Sequence, residues 1–112
     1  MKGMGNIGNL NKLMKQAQQM QTEMAKVQEL LETMQVQATS GGGAVRVVMT
    51  GKLDVAELKI DPGAVDPEEV DMLEDLLLAA LREAKTKAEA MAAEEMGKVT
   101  GGMGMPGMPG MF

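Results

Sequence analysis

The sequence predicts an α+β fold with the element order α-β-β-β-α, in which a three-stranded antiparallel meander lies between two long helices. Three observations lead to this prediction. Apolar residues recur at spacings of three and four before residue 36 and again after residue 69. Between these stretches, β-branched residues alternate with polar ones. Glycine-rich turns separate the alternating segments from one another.

The first predicted helix runs from about residue 10 to residue 35, with Asn9 as a candidate N-cap. Its apolar positions follow the a/d spacing of a coiled coil. The seam residues that we expect to make dimer or core contacts are Leu13, Met20, Met24, Val27 and Leu31. Such a helix would be about 40 Å long. Because this exceeds what so small a domain can surround, part of the helix should project or pack against a partner.

This seam has two interpretations. It is either the buried face of one helix that lies on the sheet, or a surface through which helices of two chains pair. Eight consecutive positions keep the spacing, which is more than contact with three short strands requires, so we favour pairing. Ala17 is small and the Met side chains are flexible, so the seam alone should pair weakly. We therefore expect the sheet to contribute to the pairing.

The predicted strands cover Val36 to Thr39, Ala44 to Thr50 and Val55 to Ile60. Gly41–Gly43 and Gly51-Lys52 supply the turns between them, and the first of these is a hairpin turn rather than a phosphate cradle because no helix follows it. The second strand places its apolar residues on one face: Val45, Val47 and Met49. Val55 lies three residues before Leu58, out of phase, so we expect a bulge near it.

The second predicted helix starts at Asp66-Pro67-Glu68-Glu69. Asp66 suits the N-cap, Pro67 the first helical position and Glu69 the acid of a capping box. One face is apolar to about Glu95, and its residues are Leu73, Leu77, Leu81, Ala84, Ala88 and Met91. Gly97 should end the helix.

We expect one domain from a chain of 112 residues. The segments are a flexible N-terminus over residues 1–9, a folded domain over residues 10–96 and a disordered Gly/Met/Pro tail over residues 97–112. The longest apolar run, Leu76 to Leu81, is too short to cross a bilayer, so we expect no membrane contact and a cytoplasmic protein.

The composition argues against an enzyme. The chain has no Cys and no His, which removes thiol and imidazole catalysts and the usual zinc ligands. We therefore predict no catalytic residue, no metal and no cofactor. The glycine pattern over residues 3–8 resembles a dinucleotide-binding motif, but no strand precedes it. The acids from Asp66 to Asp75 lack the spacing of a calcium loop.

Charge is distributed unevenly along the chain. The net charge is -5, and residues 66–98 carry ten acids against four bases. In contrast, no acid occurs before Glu23, so the start of the first helix should carry positive potential, which attracts phosphate. The candidate phosphate-binding side chains are Lys12, Lys15 and Lys26 on the first helix, at positions off the seam, and their alternative interpretation is an ordinary solvated face. On the second helix, Arg82, Lys85 and Lys87 form a local basic cluster.

The whole chain resembles one known family. The resemblance rests on the long N-terminal helix, on Gly41-Gly42-Gly43 followed by Val45-Arg46-Val47, on Lys59-Ile60-Asp61-Pro62, and on the stretch from Met72 to Leu76. These segments are similar, in order, to the YbaB/EbfC family of nucleoid-associated proteins. The resemblance implies a homodimer of tweezer-like shape, with helices that project from a central β body, and a place in the nucleoid.

The same resemblance implies that the partner is double-stranded DNA and that the projecting helices make the contact. It also implies that binding changes the organisation of the DNA and influences gene expression. On this chain it points to Lys12 and Lys15, with Lys26 less directly, and to Arg82, Lys85 and Lys87. The acidic net charge departs from what a DNA-binding protein needs, so contact should be local. An alternative from another class is a protein-binding adaptor or holdase, because Met-rich helical surfaces bind varied apolar partners.

Overall fold

The computed structural model describes residues 2–102, and the side chains of residues 8–99. Its helices and strands are α1 (Lys2–Thr33), β1 (Gln35–Ser40), β2 (Val45–Thr50), β3 (Val55–Ile60) and α2 (Val70–Gly102). The strands form one antiparallel sheet in the order β1-β2-β3. The predicted α-β-β-β-α fold with its meander is therefore confirmed.

The sheet contains the irregularity that the sequence predicts near the start of β3. Val48 pairs with Glu57, whereas the next residue of β2, Met49, pairs with Val55. Ala56 is left without a partner across the ladder, which is the arrangement of a β-bulge. The bulge brings Val55 into phase with the apolar side of the sheet despite its odd spacing in the sequence.

The hairpin between β1 and β2 turns at three glycines with positive φ: 61° at Gly41, 68° at Gly42 and 99° at Gly43. Residues with a Cβ rarely adopt this conformation, which explains why the turn consists of glycine. The Ser40 hydroxyl donates a hydrogen bond of 2.6 Å to the backbone oxygen of Leu76, so the turn is tied to α2.

The core lies where α2 crosses β1 and β2. Its buried residues are small on the helix and mostly larger on the sheet: Ala80, Ala84 and Ala88 of α2, Ala38 of β1, and Val45, Val47 and Met49 of β2. Alanines four residues apart let the α2 backbone lie close to the sheet. α2 leaves β3 largely uncovered, since Val55 and Leu58 keep 49% and 48% of their surface exposed.

Both helices extend further than predicted at their outer ends. α1 begins at Lys2 rather than at residue 10, so Asn9 lies inside the helix and does not cap it. α2 continues through Gly97 to Gly102. A glycine inside a helix such as Gly97 weakens it by about 1 kcal/mol without preventing it, so Gly97 does not end α2 as predicted. Residues 103–112 of the predicted tail lie outside the described residues, and the flexibility of residues 1–9 stays a prediction.

α2 begins at Val70, four residues later than the predicted N-cap at Asp66. The Asp66 carboxylate accepts a hydrogen bond of 2.9 Å from the backbone N–H of Glu68, and its backbone oxygen accepts one of 2.9 Å from Glu69. These bonds close a separate turn ahead of the helix. Asp side chains favour such local turns over helix, which is why the start signal and the helix are displaced from each other.

α1 joins the rest of the molecule only near its C-terminal end. Val27 and Leu31 are buried, at 9% and 2% exposure, whereas Leu10 and Leu13 are 55% and 60% exposed. The molecule is correspondingly elongated, with extents of 81 × 27 × 18 Å. From Leu31 to Lys2, about 44 Å of helix leads away from the sheet. We call the part of α1 before Val27 the α1 arm.

Candidate nucleic-acid interface

Lys12, Lys15 and Lys26 of α1 lie on one flank of the helix. Lys15 and Lys26 follow Lys12 by three and fourteen residues, which at about 3.6 residues per turn keeps all three side chains within one sector. The seam that includes Leu13 and Leu31 lies roughly 120° around the helix from this sector. All three lysines are exposed, so a ligand can contact this flank without disturbing the seam.

The α1 lysines differ in their neighbours. Lys26 forms an ion pair of 3.6 Å with Glu23, which offsets part of its charge. Among the described side chains, no ion pair or hydrogen bond involves Lys12 or Lys15. The positive charge predicted for the early part of α1 is therefore uncompensated at Lys12 and Lys15 among the described side chains.

The structure separates the three bases of α2. Lys87 Nζ donates a hydrogen bond of 2.9 Å to the backbone oxygen of Gln37 on β1 and lies 3.5 Å from a Glu83 carboxylate oxygen. Arg82 and Lys85 are exposed and neighbour each other on the helix, three residues apart. Lys87 lies roughly 140° around the helix from Arg82. The basic cluster seen in the sequence is therefore an exposed pair, with Lys87 turned towards the edge of the sheet.

The exposed candidate bases Lys12, Lys15, Arg82 and Lys85 lie in two separate places on one protomer. Lys12 lies nineteen residues from Leu31, where α1 meets the body, and this corresponds to about 28 Å of helix. Arg82 and Lys85 lie on the part of α2 that crosses the sheet, beside the buried Ala84. The two groups therefore form an arm site and a body site rather than one patch.

Two further bases lie together on the outer face of the sheet. Arg46 and Lys59 pair across β2 and β3, next to Gly43 at the end of the β1–β2 hairpin. Glu57 lies 3.6 Å from Arg46 and 3.8 Å from Lys59, which offsets much of their charge. The alternation of apolar and polar residues along β2 could have identified this site from the sequence, because Arg46 falls between the inward-facing Val45 and Val47 and must point to the other face.

The last turns of α2 contain a further ion pair. Lys98 Nζ lies 2.9 Å from a carboxylate oxygen of Glu95. This hydrogen bond, together with the negative charge of Glu95, raises the pKa of Lys98 above its ordinary value of 10.5. Lys98 is protonated at neutral pH, and its ammonium group already donates a hydrogen bond to Glu95. Lys98 is therefore a weak candidate for a phosphate contact.

The predicted seam divides into two parts. Val27 and Leu31 are buried in the protomer, and Leu31 lies beside Gly51 of the β2–β3 turn and Ala92 of α2. Met20 is half-buried, whereas Met24 and Leu13 are 40% and 60% exposed. The inner half of the seam is therefore core, whereas the outer half is left without cover in the protomer, and its pairing with a second chain stays a prediction.

The described part of the chain has neither a helix that could span a membrane nor a cluster of metal ligands. Over residues 2–102, neither helix combines the length and the apolar character needed to cross a bilayer. Within the same residues, no three Asp or Glu side chains converge in a way that would hold a metal ion.

Comparison with known proteins identifies the family. The sequence pattern of the YbaB/EbfC DNA-binding family matches residues 4–103. A nucleoid-associated protein of Dictyoglomus turgidum is 53% identical over 90 residues, covering 80% of this chain and 85% of its own. One from Alkaliphilus metalliredigens is 52% identical over 106 residues, covering 95% of this chain and 93% of its own.

A solved structure shares the fold. The crystal structure of an uncharacterized protein from Helicobacter pylori aligns with a TM-score of 0.67 at 23% identity, over 73% of this chain and 86% of that one. The match along the sequence, the two relatives and the α-β-β-β-α fold agree with one another. The chain belongs to the YbaB/EbfC DNA-binding family, whose members are nucleoid-associated proteins.

Proposed function

We propose that this nucleoid-associated protein binds duplex DNA as a homodimer, through phosphate contacts and with little sequence preference. The observation that supports this most directly is the pair Lys12 and Lys15, which is exposed and uncompensated on a projecting helix. Positive side chains in a stretch free of acids produce a local potential that attracts the DNA backbone.

The contact with DNA is local because the protein is acidic overall, with a net charge of -5. The α1 arm and the exposed pair of Arg82 and Lys85 make the main contacts. Lys26 and Lys87 contribute less, since an ion pair of 3.6 Å and a hydrogen bond of 2.9 Å already engage them. Repulsion between phosphate and the carboxylates of α2 keeps the remaining surface away from DNA and so orients the protein.

A second copy of the chain covers the apolar surfaces that one protomer leaves open. These are the outer half of the α1 seam, where Leu13 is 60% exposed, and β3, where Val55 and Leu58 are about half exposed. A sheet edge with exposed apolar residues is a surface that native proteins usually cover. The homodimer presents each basic site twice, so that DNA is clasped or bridged and its conformation altered.

The exposed bases are suited to phosphates rather than to base edges. Lys is a compact charge that binds backbone oxygens, and such contacts carry no sequence information. Phe112 is the one aromatic residue in the sequence, so stacking on bases contributes little. The protein consequently acts along the bacterial nucleoid, within the cytoplasm, rather than at a few defined sequences.

A salt titration tests the proposal. We would measure the fluorescence anisotropy of labelled duplexes of unrelated sequence as protein is added, from low to physiological salt. Three to six phosphate contacts per dimer predict a log–log slope of about -3 to -5, similar for all duplexes. Absence of binding at low salt would remove the proposal.

A second function has one observation in its favour. Leu10, Leu13 and Met14 are 55%, 60% and 54% exposed on the α1 arm. Such a surface suits an adaptor or holdase that binds apolar segments of other proteins. Binding of an unfolded apolar polypeptide that is unaffected by salt, without DNA binding, would favour this function, because apolar contacts do not release counterions.

A further inference from the structure

The α1 arm is fastened to the body at the turn between β2 and β3. The backbone N–H of Gly51 donates two hydrogen bonds to the end of α1, with N–O distances of 2.9 Å to Leu31 and 3.0 Å to Met34. Beside it, the Lys52 ammonium donates a hydrogen bond to the side-chain oxygen of Gln28. We call these contacts the arm-root clasp.

Glycine is required at position 51 because of space. The φ angle of Gly51 is not positive, so its backbone conformation suits other residues as well. However, a Cβ built there would lie 2.7 Å from Leu31 Cδ2, 2.9 Å from Leu31 Cβ and 2.9 Å from the Leu31 backbone oxygen. A side-chain tip can rotate away, whereas a backbone oxygen moves only with its helix. Any side chain at position 51 therefore displaces the end of α1.

We propose that Gly51 is a positioning residue for DNA binding. The arm-root clasp sets the direction in which α1 leaves the body, and with it the separation of the Lys12 and Lys15 pairs in the two protomers. This inference rests on the proposed role of the α1 arm in DNA contact. The body residues Arg82 and Lys85 stay in place when the arm turns, so the clasp also sets the distance between the arm site and the body site.

The length of the arm amplifies a small change at the clasp. Restoring ordinary contact between a new Cβ and the Leu31 backbone oxygen requires a shift of about 0.5 Å, from 2.9 to 3.4 Å. With α1 pivoting at Val27, about 6 Å away, this is a rotation of about 5°, which moves Lys12 by about 2 Å. Successive phosphates of one DNA strand are about 3.4 Å apart along the helix axis, so a shift of about 2 Å misaligns a contact.

The first test measures the arm without DNA. The chain contains no Cys, so Asn11→Cys and Thr39→Cys place two spin labels, one on the arm and one on the outer sheet face. Double electron–electron resonance on labelled chains diluted into unlabelled wild type then reports the distance within one protomer. Gly51→Ala should shift this distance by up to about 2 Å. An unchanged distance in a folded variant overturns the inference.

Gly97→Ala is the matched control. It makes the same substitution in α2, where a new Cβ has no heavy atom within 4 Å, and it should leave the distance unchanged. With unlabelled protein, Gly51→Ala should weaken DNA binding on the order of 10-fold, while sedimentation shows the same oligomer as for wild type. A shifted arm with wild-type affinity would also overturn the inference. Wild-type protein that fails to bind DNA overturns the proposed function instead, and the distance still reports on the clasp.

Gln28→Ala provides a second route if Gly51→Ala does not fold. It removes the acceptor of the Lys52 hydrogen bond, adds no atoms and leaves the net charge unchanged. Its arm should sample a wider range of directions, so the distance distribution broadens and DNA affinity falls. A distribution as narrow as that of wild type would overturn the inference.

Discussion

Replacing Lys12 and Lys15 together by alanine should reduce both DNA affinity and its dependence on salt. These side chains are exposed and make no ion pair among the described residues, so the change should leave the free energy of unfolding within about 0.5 kcal/mol of wild type. A loss of binding can then be assigned to lost contacts with DNA rather than to lost structure.

The size of the effect follows from counterion release. A homodimer carries four of these lysines, and each phosphate contact contributes about 0.9 to the log–log slope. If all four bind phosphate, the slope of the variant should be shallower by about 3 to 4. Between roughly 50 and 200 mM salt, wild type would lose affinity by about 100-fold more than the variant does.

Anisotropy titrations at four salt concentrations would measure this difference, and circular dichroism would verify the fold. Lys26→Ala is the matched control, since Lys26 lies on the same flank of α1 but is paired with Glu23 at 3.6 Å. Its slope should change less than that of the double variant. A folded double variant with the wild-type slope would refute the assignment of phosphate contacts to the α1 arm.

Three further predictions concern the body. Ala84 is fully buried, so Ala84→Leu overpacks the core and should lower the free energy of unfolding, measured in urea, by about 1–3 kcal/mol. Ala90→Leu, at an exposed position of the same helix, should leave this free energy nearly unchanged. Gly41→Ala should lower the free energy of unfolding in urea by more than Gly42→Ala does. Both glycines have positive φ, but a Cβ at Gly41 would lie 3.0 Å from a leucine side chain, whereas a Cβ at Gly42 would have no heavy atom within 4 Å. Leu58 is 48% exposed in the protomer, so Leu58→Asp should leave the helicity unchanged. An unpaired carboxylate buried between two protomers is costly, so sedimentation should show a shift from dimer to monomer. An unchanged dimer would exclude this part of β3 from the interface.

The elements themselves were predictable because their signals are local. The alternation of Val45, Val47 and Met49 identified the buried face of β2, and the odd spacing of Val55 identified the bulge. Helix ends were predicted less well. The glycine signal predicts an end of α2 at Gly97, but a single glycine lowers helix stability by an amount that neighbouring turns can offset, and α2 continues to Gly102.

The candidate site was predicted in residue type but not in arrangement. Nothing in the spacing of Arg82, Lys85 and Lys87 shows that a β1 carbonyl oxygen lies within 2.9 Å of Lys87. The same holds for Gly51, which the sequence marks only as a turn residue, whereas the structure places Leu31 against it. Both facts depend on segments more than fifteen residues apart in the chain.

The sequence by itself determined the order of helices and strands, the face that each buries and the concentration of positive charge at Lys12 and Lys15. These are properties of neighbouring residues, expressed through periods of about 2.0 and 3.6 residues. Only the tertiary structure decided where α1 leaves the body, which half of its seam becomes core, and that α2 covers β1 and β2 but not β3. A periodic pattern shows which face of an element is apolar, but how far that face is covered depends on the length and path of distant segments.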